Sequence, residues 1–151
     1  MNRPYRGYLG GEQDTNRMPY LRLFYHMIWA TKDRQPFFKD ASSSPLHRCI
    51  AGKAIQLGAA AHAVGGIEDH IHIAVSVPPS IALSEFVRHV KGSSSHFMNH
   101  ELAVPVTFAW HADCGLMPFD GKQLAGVVHY VKEQRQHHDR HTTIPALERL
   151  A

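Results

Sequence analysis

With 151 residues, 44% of them hydrophobic and 19% charged, the chain is sized and composed for one globular domain with its own core, and not for disorder. Its net charge of +3 permits a nucleic-acid partner without demanding one, and thirteen histidines would add positive charge below neutral pH. Two cysteines, Cys49 and Cys114, form no CxxC pair and exclude a disulfide scaffold, and no apolar run nears the roughly 18 residues of a membrane helix, so a reduced, cytoplasmic setting is expected.

Residues 1–17 carry glycines, a proline and polar residues without periodicity and read as a flexible extension. Met18 would serve as an alternative start. Tyr20 to Ala30 is rich in aromatic and aliphatic residues and predicts strand one, ended by the polar loop Lys32 to Pro36. Ser44-Pro45 reads as an N-cap followed by proline in the first turn. Leu46, Ile50, Ala54 and Leu57 then fall on one helix face, and Gly58 stops the helix.

Ala61 to Ile67 predicts a short strand two, with Gly65-Gly66 marking an irregularity near its end. Strand three follows and alternates cleanly. Ile71, Ile73, Val75 and Val77 face one way; His70, His72, Ala74 and Ser76 face the other. Pro78-Pro79 ends it. Ser80 is placed to cap the next helix, whose inner face is Leu83, Phe86, Val87, Val90, Ser94 and Phe97, with Arg88 and Lys91 near its middle. Val104, Val106, Phe108 and Trp110 alternate and predict strand four, and Asp113 to Asp120 reads as a loop. Asp120 with Gln123 resembles a capping box, and Leu124, Val127, Val128 and Val131 form the stripe of a last helix. Residues 140–151 are polar, contain Pro145 and are expected to be loose. The order of elements predicts an α+β domain over residues 18–139: a ferredoxin-like split βαβ sandwich with an antiparallel sheet, plus an added C-terminal helix carrying a tyrosine.

Two groups of residues carry chemistry. His70 and His72, two apart on a strand, project both imidazoles from one face and could share a metal ion. An isolated pair of this kind is more often a solvated strand face. Tyr130 and Gln134, four apart on a helix, lie about 40° apart around its axis and flank the apolar stripe, where a side chain can reach the sheet; taken alone, such a pair is more often a boundary tyrosine and a surface glutamine. His138 adds one more turn on the same side.

Taken together, the motifs resemble the single-tyrosine HUH transposases of small insertion sequences, including the REP-associated tyrosine transposases. The motifs run in the family's order: His26-Met27-Ile28-Trp29-Ala30-Thr31-Lys32-Asp33-Arg34; Asp69-His70-Ile71-His72; Phe86 to Ser94; Trp110; and Tyr130-Val131-Lys132-Glu133-Gln134 with His137-His138. One departure is visible: Cys114-Gly115 stands where the family usually has Tyr-Gly.

The resemblance implies cleavage and rejoining of single-stranded, hairpin-forming DNA, with Tyr130 as the catalytic nucleophile and a 5′-phosphotyrosine intermediate. It implies Mg²⁺ or Mn²⁺ held by His70, His72 and Gln134. It also implies a homodimer, with Tyr130 open to donation in trans, and a nucleoid-associated protein. Lys32, Arg34, Arg88 and Lys91 are candidate DNA-phosphate contacts. A different class of reading is a domesticated, non-cleaving hairpin-binding protein on the same fold. A third is a histidine-rich metal binder, which leaves the Tyr130–Gln134 spacing unexplained.

Overall fold

Alternation of aliphatic side chains with histidine in His70–Ser76 is the pattern of a strand with two unlike faces, and the computed structural model of the chain forms that strand inside a sheet. The structure describes residues 22–38, 40–102 and 104–150; the N-terminal extension and Tyr20 lie outside them. The elements are β1 (Phe24–Ala30), α1 (Asp40–Gln56), β2 (Ala60–Ile67), β3 (His70–Ser76), α2 (Leu83–His96), β4 (Gly115–Phe119), α3 (Leu124–Lys132) and α4 (Gln134–Asp139). A turn of π-helix, Phe97–Glu101, continues α2.

The sheet has four strands in the order β2-β3-β1-β4, every neighbouring pair antiparallel. The α+β, ferredoxin-like arrangement expected from the sequence is therefore present. Ile71, Ile73, Val75 and Val77 form the main core with Met27, Trp29, Leu46, Ile50, Phe86 and Val90, and so bind α1 and α2 to one face. The opposite face carries a much smaller apolar cluster, Ala63, Ala74 and Val131, under α3.

Strand four is not where alternation placed it. Among residues 104–110, only Trp110 makes a ladder contact, a single bridge to Thr31. Phe108 and Trp110 are apolar because they pack into the main core, stacked edge-on with ring centroids 4.8 Å apart. The Asn99 side chain stands in for a strand partner: its Oδ1 accepts from the Phe108 amide at 2.7 Å and its Nδ2 donates to the Phe108 carbonyl at 2.9 Å. The true fourth strand lies inside the predicted loop. Pro118 argued against a strand there, but β4 is an edge strand, where a missing N–H is tolerated.

Helix starts differ as well. The first helix begins at Asp40, so Pro45 lies inside it and Ser44 instead accepts from Arg48 at 2.8 Å. Ala82, not Ser80, precedes α2, without a side-chain cap. The irregularity of β2 falls between Ala61 and Ala63, not at the glycines. The capping box of Asp120 and Gln123 forms as expected, opening a 3₁₀ turn that runs into α3.

Candidate active site on the histidine face of the sheet

Gly65 explains how a helix can come close to the histidines. It pairs with His72 across β2 and β3, and a Cβ built on it would lie 1.9 Å from the Val131 carbonyl oxygen. Only glycine lets the backbone of α3 rest on the sheet at this point. Tyr130, one residue before, is thereby set against His72, ring centroids 5.8 Å apart and nearly perpendicular. Sequence geometry placed Tyr130 and Gln134 at the edge of the interface. In the structure both are fully inside it, 3% and 1% exposed.

The last helix is not continuous. Glu133 (φ −100°, ψ 26°) breaks it between α3 and α4. Gln134 still reaches back one turn, and its Nε2 donates to the Tyr130 carbonyl at 3.1 Å. That bond fixes the amide orientation and leaves Oε1 buried without a hydrogen bond.

Each site histidine has its inner nitrogen occupied. Nδ1 of His70 lies 2.7 Å from Asp69 Oδ1, and Nδ1 of His72 lies 2.8 Å from His26 Nε2. A carboxylate at Asp69 makes His70 Nδ1 the donor. When His72 Nδ1 donates likewise to His26, both neutral imidazoles turn an Nε2 lone pair toward the Tyr130 side. Outer partners of this kind orient imidazole ligands in metal sites. Neither Nε2 makes a hydrogen bond, although both are buried.

A carboxylate from the chain's end faces these nitrogens. The tail forms a 3₁₀ turn, Pro145–Leu147, and presents Glu148. Its Oε2 lies 3.4 Å from His70 Nε2, 3.4 Å from His72 Nε2 and 3.7 Å from His138 Nε2. Its Oε1 accepts a short hydrogen bond from the Tyr130 hydroxyl. The Ile144 amide donates to the same phenol oxygen at 3.0 Å. The tail expected to be loose thus closes over the site. Gly115 belongs to this contact, because a Cβ there would meet the Arg149 carbonyl oxygen at 1.9 Å.

The electrostatics follow from burial and from these partners. Burial pushes His26 down to about 3, with neighbouring His72 adding to the shift. His72 is lowered by burial, against the pull of Glu148. His70 is also opposed by burial, but the Asp69 bond and the nearby Glu148 carboxylate prevail and raise it. Burial would raise Glu148, yet the two histidines hold it well below the usual carboxylate range. Burial and the Glu148 contact push Tyr130 up to about 12.

Buried donor atoms without hydrogen bonds are what a metal site shows before its ion is added. His70 Nε2, His72 Nε2 and Gln134 Oε1 all have this character, so the residues fit a divalent ion. His70, His72 and Glu148 also offer one donor atom each, all within 4.8 Å of one another.

The candidate phosphate contacts divide between the two faces. Arg34 stands at the site, its guanidinium 3.7 Å from Asp69 Oδ1. It is held there by a loop in which Asp33 and Arg34 both take left-handed backbone angles (φ 57° and 54°). Lys32 is exposed in the same loop. Arg88 and Lys91 sit on α2, across the sheet from the histidines. Arg88 pairs with Glu85 at 2.6 Å. The Lys91 ammonium donates to the carbonyls of His111, Ala112 and Asp113 at 2.8 to 3.1 Å, holding the loop before β4. The structure thus does not bring these two together with Arg34 and the histidines.

Sequence reasoning gave no role to His26, Asp69 or Glu148. His26 became legible as a neighbour of His72 only once strand register was known, whereas Asp69 directly precedes His70 in the sequence. For Glu148 the available signal was slight: apolar Ile144 and Leu147 around Pro145, a tail able to dock.

Over 77 residues the chain is 30% identical to the ISDra2 transposase TnpA of Deinococcus radiodurans, a match covering 51% of this chain and 55% of that protein. The chain therefore spans about half the length of this curated relative. Its fold is shared with a crystal structure of a candidate transposase from Deinococcus radiodurans R1 (TM-score 0.61, 24% identity, 78% of this chain and 95% of that one). It is shared also with a REP-associated tyrosine transposase solved on a REP hairpin (TM-score 0.59, 14% identity, 83% of this chain and 74% of that one). Residues 20–134, most of the chain, match the family described as IS200-like transposases, and the chain belongs to that family.

Proposed function

We propose that this chain cuts and rejoins single-stranded DNA, with Tyr130 as nucleophile and a 5′-phosphotyrosine intermediate. One observation carries the reading: a single carboxylate, Glu148, touches the Tyr130 hydroxyl with one oxygen and lies 3.4 Å from both histidine Nε2 atoms with the other. The hydroxyl and the two lone pairs therefore converge on a space the size of one acidic group. A backbone phosphate is such a group.

In the forward step the phenol oxygen bonds to phosphorus and the bond to the 3′-oxygen breaks. The phenol loses a proton and the leaving 3′-oxygen gains one. The phosphotyrosine retains the energy of the broken ester, so transfer to another 3′-hydroxyl needs no external energy source. A free tyrosine with a pKa near 10 is about one part in a thousand ionised at neutral pH, so the nucleophile needs help. The Ile144 amide, donating to the phenol oxygen, favours its ionised form. His70, His72 and Gln134 are the residues that would hold Mg²⁺ or Mn²⁺, and Asp69 and His26 would fix the imidazoles for it. A divalent ion bound there supplies Lewis acidity and orientation toward the phosphate. Arg34, beside the site, contributes a fixed positive charge for the DNA backbone.

The hairpin-bound relative supports a hairpin-forming substrate. One tyrosine per chain and two ends to cut make a homodimer the economical assembly. Within this chain Tyr130 meets its own histidines. The test is incubation with single-stranded hairpin DNA from beside the gene, plus Mn²⁺, analysed on a denaturing gel. A covalent adduct is expected from the natural chain, and none from Tyr130→Phe or His72→Ala. Hairpin binding without an adduct would favour the non-cleaving reading, and adducts from Tyr130→Phe would remove Tyr130 as nucleophile.

A further inference from the structure

The position of Glu148 calls for something between it and the histidines. When His70 Nδ1 donates to Asp69 and His72 Nδ1 donates to His26, both neutral imidazoles point Nε2 lone pairs at a carboxylate oxygen 3.4 Å away. Three electron-rich atoms facing one another repel. A proton on one Nε2, from the other His72–His26 tautomer or from a charged His70, relieves this in part, but charging both rings, whose centroids are 5.0 Å apart and which are almost wholly buried, is costly. A single cation shared by all three relieves it without that cost. Edges of about 3 to 3.5 Å are what donor atoms span when each is about 2.1 Å from a common ion.

We propose that Glu148 is itself a ligand of the ion, a carboxylate brought to His70 and His72 by the C-terminal tail. The inference rests on the metal reading above and extends it. The ligands then come from three separate parts of the chain: a strand, the start of α4 and the tail. The tail is held for this. The Ile144 amide anchors it to the Tyr130 oxygen, the turn closes through Leu147 N–H to the Ile144 carbonyl at 2.9 Å, and the glycine at position 115 leaves room for the backbone at Arg149. The side chain is only 19% exposed, an unusual burial for a tail glutamate with no role. Because the other Glu148 oxygen holds the Tyr130 hydroxyl, ion binding and closure of the tail over the nucleophile become one event.

The experiment needs Mn²⁺ alone. Free Mn²⁺ is titrated by its electron paramagnetic resonance signal against the natural chain, His72→Ala, Glu148→Gln and Glu148→Ala, with circular dichroism confirming the fold of each. Hydrogen exchange of the residue 144–149 amides is followed with and without Mn²⁺. The natural chain should bind one ion and His72→Ala should lose it. Glu148→Ala should bind at least about 10-fold more weakly, since even outer partners of metal ligands are worth about 10- to 100-fold. Glu148→Gln, which keeps a neutral oxygen, should fall between. Mn²⁺ should slow exchange in the tail of the natural chain and not in Glu148→Ala. If Glu148→Ala binds as tightly as the natural chain while His72→Ala does not bind, the tail ligand is wrong and the histidine site stands. If the natural chain binds no Mn²⁺, or His72→Ala binds it equally, the metal reading itself fails and the tail ligand with it.

Discussion

The two faces of the sheet are built to opposite rules. On one, Ile71, Ile73 and Val75 meet α1 and α2 in a dry layer with Trp29, Phe86 and Phe108. On the other, one residue out of step, His70 and His72 meet α3, α4 and the tail around a cluster of three small or branched residues. The same strand thus supplies stability in one direction and chemistry in the other. The chemical face gathers His70 Nε2, His72 Nε2 and Gln134 Oε1, which make no hydrogen bonds, whereas the structural layer carries one such atom, Trp29 Nε1, among the described residues. The contrast predicts that neighbouring residues on β3 fail in different ways.

The largest separation should come from the adjacent pair Ile73 and His72. Ile73→Ala should cost about 2–5 kcal/mol in chemical denaturation, because it opens a cavity in a fully buried layer. His72→Ala should cost less, about 1–3 kcal/mol for a lost hydrogen bond that leaves buried His26 unpartnered, while removing cleavage. A larger stability loss for His72→Ala than for Ile73→Ala would mean the histidine face is structural.

A smaller effect should appear in acid. His26 is held near pKa 3 when folded and about 6.5 when unfolded, so below pH 6.5 the unfolded chain binds more protons at this site. Its contribution to stability is complete above pH 6.5 and declines as pH falls toward 3, by about 1.4 kcal/mol per pH unit. His26→Gln keeps an acceptor for His72 without titrating. Its denaturation midpoint should change less between pH 7 and pH 5 than that of the natural chain. Equal acid sensitivity would assign that loss to other groups.

The least effect is expected from charge on the wrong face. Arg34→Ala should weaken hairpin binding and lower its salt dependence, whereas Arg88→Ala, exposed and paired with Glu85, should leave both unchanged. Equal loss in fluorescence-anisotropy titrations would place DNA on both faces.

What could be read from sequence followed from local rules. A strand with two unlike faces announces itself by alternation, and so the sheet centre and both histidines were legible. The capping box before α3 was legible for the same reason. Alternation misled at residues 104–110, where Phe108 and Trp110 fill the end of the core without a ladder. It failed again at β4, where glycine and proline read as loop although an edge strand accepts both. Spacing put Tyr130 and Gln134 on one side of a helix and the family resemblance singled them out, but their depth depends on Gly65, a contact between distant segments. Glu148 is non-local altogether: nothing within a few residues of it mentions histidine.

The central claim is that Tyr130 is the residue that takes the DNA, and peptide mass spectrometry tests it most directly. The covalent product is digested with protease and nuclease and the modified residue is sequenced. A 5′-phosphonucleotide on the peptide containing Tyr130 is the predicted result. The same modification on any other residue, or a 3′-phosphate linkage, would contradict the account.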